Sequence, residues 1–198
     1  MTISDVWAVW VRLACVSVVL LSGCAAQPDT YLREGLEDCG IGTVAVFPFE
    51  NGTTDSEASS VVTAAFIAGL VARGGYAVEH YGNVKTFLLD RRILARKGID
   101  KETLTRMRRS LGVDAVLFGR VDDYGDVEGV GWDAVPEVAV SLRLVDARTG
   151  EILCMVRHRR HGDDYALVLD IGRVRTSGEL ARRMAVEVVD LFPPGVTQ

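Results

Sequence analysis

Gly112–Tyr124, GVDAVLFGRVDDY, and Val138–Cys154, VAVSLRLVDARTGEILC, decide how this chain folds. In the first, Val113, Ala115, Val116, Leu117 and Phe118 run almost without interruption to Val121, the pattern of a strand covered on both faces. In the second, Val138, Val140, Leu142 and Leu144 alternate with Ala139, Ser141, Arg143 and Val145, so one face is buried and the other mixed. Ile152, Cys154 and Val156 resume the alternation after Asp146-Ala147-Arg148-Thr149-Gly150. Asp can accept local backbone hydrogen bonds at the start of such a turn, and Gly can take the positive φ that closes it. The pattern predicts a hairpin at the centre of a sheet.

Working outward, Thr43–Phe49 (TVAVFPF) reads as a buried strand that Pro48 brings to an edge or an exit. After a turn at Glu50–Thr53, Thr54 and Glu57 have capping-box spacing, and a helix is expected to Arg73 with Val62, Phe66 and Leu70 on one stripe. Gly74-Gly75 stops it, and Tyr76–Val78 is a short strand. Val84–Lys97 reads as helical. Asp100 caps a further helix carrying Leu104, Met107 and Leu111. Thr176 and Glu179 open a last one, striped by Leu180, Met184, Val188 and Leu191 and ended by Pro193-Pro194. The order β-α-β-α-α-β-β-β-α predicts an α/β sandwich: a mixed sheet of about five strands with helices packed on it.

The N-terminus sets the compartment. Leu13–Leu21 (LACVSVVLL) is too short to span a bilayer and suits a signal-peptide core. It ends in Leu21-Ser22-Gly23-Cys24, which matches the bacterial lipobox. That match implies a signal peptide over 1–23, acyl chains on Cys24, a lipidated tether over 24–42, a periplasmic domain over 43–192 and a tail over 193–198. Ala25 in place of Asp implies the outer membrane, with the domain facing the periplasm. Three acyl chains hold far more firmly than one. Residues 25–40 read as a polar tether. Of four cysteines, Cys15 leaves with the signal and Cys24 carries lipid. Cys39 and Cys154 remain in an oxidising compartment, with two readings: a Cys39–Cys154 disulfide, or Cys154 as a small buried hydrophobe.

The 198 residues, 48% hydrophobic and 25% charged, are enough for one domain with a real core. A net charge of −5 argues against nucleic acid as a partner. No enzyme signature is present, and no cofactor or metal is expected. His80, His158 and His161 are scattered, and His158-x-x-His161 on a strand points its rings to opposite faces, so both read as surface histidines. Asp122-Asp123 and Asp163-Asp164 read as loop carboxylates in polar breaks. Charge is segregated, however. Residues 91–109 carry Arg91, Arg92, Arg96, Lys97, Lys101, Arg106, Arg108 and Arg109 against two acids, a net +6. Residues 119–137, which include Trp132, carry Asp122, Asp123, Asp126 and three more acids against Arg120, a net −5. These are either two solvated surfaces or a partner surface, the basic helices of one copy meeting the acidic loop of the next in a homo-oligomer. The basic face also suits anionic lipid or cell-wall polymer.

The stretches VAVFPFENGT, ASSVVTAAFIAGLVARGGYAV, LLDRRIL, VDAVLFGRVDDYGD and VAVSLRLVDARTGEIL together resemble the curli-secretion (CsgG-like) lipoprotein superfamily. Penicillin-binding-protein activator lipoproteins and the N-terminal domain of TolB share that shape. The resemblance implies an anticodon-binding-domain-like sandwich used for protein contacts, without catalysis. The transmembrane hairpins of the pore-forming members have no room here. The two insertion points, 125–137 and 162–175, offer 13 and 14 residues, where a membrane-crossing hairpin needs about 20. The expected function is therefore that of an accessory or assembly component binding envelope proteins, with activation of a peptidoglycan synthase as an alternative.

Overall fold

The computed structural model describes residues 28–33, 40–90, 99–127, 134–166 and 170–195. The strands are β1 (Asp29–Leu32), β2 (Thr43–Val46), β3 (Glu50–Asn51), β4 (Ala77–Val78), β5 (Ala115–Val127), β6 (Val135–Asp146) and β7 (Ile152–His161). The helices are α1 (Ala58–Arg73), α2 (Tyr81–Asp90), α3 (Lys101–Leu111) and α4 (Ser177–Val189), with a 3₁₀ turn at Gly162–Tyr165. All seven strands join one sheet in the order β1-β7-β6-β5-β2-β4, with β3 beside β5. β5, β6 and β7 form an antiparallel meander, and β2 runs parallel to both β5 and β4. This is the expected mixed α/β sheet with helices packed on it.

The turn chemistry matches the sequence. Asp146 Oδ1 accepts from the amides of Arg148 (2.6 Å) and Thr149 (2.9 Å), and Gly150 closes the turn at φ 77°. Asp100 Oδ1 accepts from the Thr103 amide at 2.7 Å, and Thr176 Oγ1 from the Glu179 amide at 3.3 Å, so α3 and α4 start where expected.

Each face of the sheet builds its own core. On one, Val44, Val46, Leu117, Val140, Leu144 and Leu153 meet Phe66 and Leu70 of α1 and Leu180 and Met184 of α4. On the other, Ala45, Phe47, Val116, Phe118 and Val145 meet Val84 and Phe87 of α2 and Leu104 and Met107 of α3. The second cover is partial. It ends over the β2–β5 half, so Arg143, Met155, Arg157 and Tyr31, on β6, β7 and β1, are exposed.

Three expectations need correction. Thr54 does not cap α1; Asp55 accepts from the Glu57 amide at 2.8 Å instead, and Glu57 is the N-cap residue without a side-chain bond. The polar break after Val121 is strand: β5 continues through Asp122, Asp123 and Tyr124 past a bulge between Val121 and Asp123. Ladder bonds belong to the backbone, so polar side chains do not end a strand whose partner continues. And Asp29–Leu32, inside the expected tether, is β1, paired antiparallel with Arg157–Cys154.

Gly119 lies in β5 under the Phe49 ring, where an added Cβ would sit 2.6 Å from ring carbons. Phe49 is itself packed on Phe66, ring centroids 5.3 Å apart. Gly119→Ala is expected to cost about 1–3 kcal/mol, because overpacking forces the ring off its rotamer. A denaturant midpoint unchanged from wild type would refute this packing.

Candidate functional site

Alternation along β7 puts Cys154, Val156 and His158 inside and Met155, Arg157 and Arg159 outside. His158 is therefore buried, at 3% exposure, correcting its reading as a surface histidine; His161 is half-buried. The same inward row brings His158 to α4. Its Nε2 lies 3.1 Å from Oε2 of Glu187, which also accepts from Arg160 Nε at 2.9 Å, while Oε1 accepts from the Tyr165 hydroxyl at 2.6 Å. The guanidinium groups of Arg160 and Arg183 stack over the Tyr165 ring at 5.7 and 5.3 Å. One carboxylate thus ties together β7, the 3₁₀ turn and α4. Burial alone would push the Glu187 carboxyl up, but hydrogen bonds from Tyr165, His158 and Arg160 and the Arg160 charge hold it below the usual range. Burial and the hydrogen bond to Glu187 push the Tyr165 hydroxyl well up, so it stays a donor.

The sequence carried a signal for this cluster. Glu187 falls on the apolar stripe of α4, three residues after Met184, and His158 on the inward row of β7. Each is a polar group at an apolar position.

The described carboxylates of the acidic ribbon are paired within the chain. Asp122 pairs with Arg120 (3.2 Å) and accepts from Ser141 (2.5 Å); Asp123 pairs with Arg159 (2.6 Å), which also pairs with Glu137. Asp163 meets Arg173 at 2.5 Å, and Asp164 accepts from the His161 amide. Both aspartates lie in the 3₁₀ turn, not an irregular loop. Among the described residues, the ribbon continues past the last β6–β7 pair, Glu137–His161, through Asp126–Val127 opposite Pro136–Val135.

On α3, Arg106 is occupied by Glu102, whereas Arg108 and Arg109 are exposed and have no ion pair among the described residues. They sit in the last turn, where the helix dipole favours cations. Arg91, Arg92, Arg96, Trp132, Cys24 and Cys39 lie outside the described residues, as does the side chain of Asp126. Cys154 is a free thiol, buried among core side chains, and burial pushes it up to about 11.

A shallow groove of about 410 Å³ lies where the second helical cover stops, lined by Asp29, Tyr31, Ser141, Met155 and Arg157 among others. Among the described residues no group of His, Cys, Asp and Glu is arranged to hold a metal. No buried side-chain polar atom there lacks a partner. No helix among those residues is long and apolar enough to cross a membrane. The arrangement offers contact surfaces: a cationic helix end and a bare strip of sheet.

A model of the GNA1162-like lipoprotein family matches residues 38–167. The curli-secretion resemblance of the sequence stretches finds no support in this match. No curated protein matches the chain. Among solved structures, the PelC dodecamer from Paraburkholderia phytofirmans is similar at 18% identity and TM-score 0.55, over 87% of this chain and 99% of that one. Lipoprotein GNA1162 from Neisseria meningitidis is 22% identical, with TM-score 0.54 over 75% of this chain and 96% of that one. The C-terminal domain of LpoB from Salmonella enterica overlaps more loosely, at 16% identity and TM-score 0.43 over 61% and 82%. At these identities the first two show a common fold.

Glu187→Gln keeps the shape and removes the charge, and is expected to cost about 1–3 kcal/mol at neutral pH. A depressed folded-state value means that this stability is present above the ordinary carboxylate value of 4.5 and is lost as pH falls through the lower one. Denaturant midpoints of wild type and Glu187→Gln should therefore converge in acid. A constant gap at all pH values would show that the ionised carboxylate is not what holds the three elements.

Proposed function

The chain belongs to the GNA1162-like lipoprotein family, and from that premise we propose that it is an outer-membrane lipoprotein facing the periplasm. Acyl chains on Cys24 anchor it, and it serves as a non-enzymatic accessory or assembly component of an envelope complex. Membership in a lipoprotein family supports the lipobox reading, and Ala25 after Cys24 supports the outer membrane.

The observation that carries the contact role is the C-terminal end of α3. Arg108 and Arg109 are exposed and have no ion pair among the described residues, while Asp122 and Asp123 of the chain's own acidic ribbon are already paired to Arg120 and Arg159. The partner surface is then acidic, on an envelope protein or on the acidic loop of a second copy, whose Asp126, Glu128 and Asp133 side chains lie outside the described residues. Self-assembly is supported by PelC, a dodecamer on the same fold. Cell-wall polymer is the second reading, since the same two arginines suit a polyanion.

Cys24→Ser is expected to leave the precursor uncleaved and to abolish outer-membrane fractionation; normal fractionation of the variant would refute the anchor. For the contact role, in-cell crosslinking followed by purification should yield a defined complex with an envelope protein or with further copies. Arg108→Glu with Arg109→Glu should deplete any envelope-protein complex severalfold. A subunit that stays monomeric and uncrosslinked refutes the role, and salt-sensitive sedimentation with purified sacculi would move it to the wall polymer.

A further inference from the structure

We propose that the β1–β7 edge of the sheet rests on the surface of the bilayer that holds Cys24, with Tyr31, Leu32, Ile152 and Met155 set into its headgroup layer. The inference rests on the lipid anchor proposed above and says how the body is oriented on it.

Reach comes first. From Cys24 to Asp29 there are five residue steps, at most about 18 Å of extended chain. With Asp29–Leu32 taken up as a strand, the tether is far shorter than a polar segment reaching residue 40. β1 is an edge strand; the opposite edge, β4, is five strand spacings away, about 24 Å. The anchor therefore holds one particular edge of the sheet close to the lipid. That edge is the β1 side.

Chemistry at that edge agrees. Tyr31 (57% exposed), Leu32 (49%), Met155 (45%) and Ile152 (38%) are four of the eight exposed large apolar side chains among the described residues. All four lie on the two adjacent strands β1 and β7, and Tyr31 stands directly across from Met155. A tyrosine beside aliphatic groups is the composition that partitions to a membrane interface. Arg157 lies in the next outward row, across from Asp29. It has no ion pair among the described residues and lines the groove, placed to meet a lipid phosphate. The layer available to these groups is about 5–7 Å thick on each side of the hydrocarbon, so side chains can enter it while the strand backbone stays hydrated.

The test uses the mature acylated chain carrying Cys39→Ser, reconstituted into phosphatidylethanolamine and phosphatidylglycerol vesicles. An environment-sensitive fluorophore is attached at Met155→Cys, or in a second preparation at Val186→Cys on α4, an exposed position on the opposite face of the sheet. The buried Cys154 thiol stays unlabelled while the protein is folded. Lipids bearing a headgroup nitroxide should quench the label at 155 severalfold more than the label at 186. Equal quenching in chains that float with the vesicles overturns the proposal and leaves the anchor intact. Protection at 155 together with Tyr31→Cys crosslinks between copies also overturns it and assigns the edge to a second copy. Failure of the acylated chain to float, or equal flotation of a non-acylated chain that begins at residue 25 and lacks the signal segment, overturns the anchor reading itself.

Discussion

Strand β5 has to satisfy two ladders and two cores at once, and the rest of the molecule is arranged around that demand. Its amides and carbonyls pair in parallel with β2 and antiparallel with β6. Its side chains alternate between Leu117 and Val121 under α1 and α4 and Val116 and Phe118 under α2 and α3. A strand buried on both sides cannot slip by one residue without sending every side chain into the wrong core. Parallel pairing with β2 then requires a crossover, and the helical segment between residues 58 and 111 supplies it while covering both faces. At Gly119 of β5 another segment, through the Phe49 ring, comes so close that no Cβ fits.

Coverage thins away from β5. α2 and α3 cover half of one face, so the outward rows of β6, β7 and β1 meet solvent with arginines, a methionine and a tyrosine. On the other face α1 and α4 cover most of the sheet. At its far end the cover is fastened to β7 by a charge cluster on Glu187, not by more hydrocarbon. A half-buried carboxylate with three donors is specific in geometry, because the donors reach it from both β7 and the 3₁₀ turn. It fixes where the 3₁₀ turn sits, and with it the segment that follows β7.

Much of this was legible in particular residues. The hairpin at Asp146–Gly150, the caps at Asp100 and Thr176 and the Gly74-Gly75 stop are local chemistry, each decided within a few residues, and each stands as read. What failed was not local. Asp122 and Asp123 look like a break because charged pairs seldom sit mid-strand; they remain in β5 because Arg120 and Arg159 meet them. Asp29–Leu32 looks like tether because four residues carry no period, and only the free edge of β7 makes them a strand. His158 looked exposed because its partner, Glu187, is 29 residues away.

The sequence by itself determined the central hairpin, the order of the helices and the mixed sheet they pack on. These follow from spacing, period and length, which act over short stretches of chain. Only the tertiary structure decided which charges are paired, that Arg108 and Arg109 have no ion pair among the described residues, and that Asp29–Leu32 is the edge strand beside β7. Those outcomes depend on pairings between residues far apart in sequence, and a ladder or an ion pair of that kind exists only once the fold has brought its two halves together.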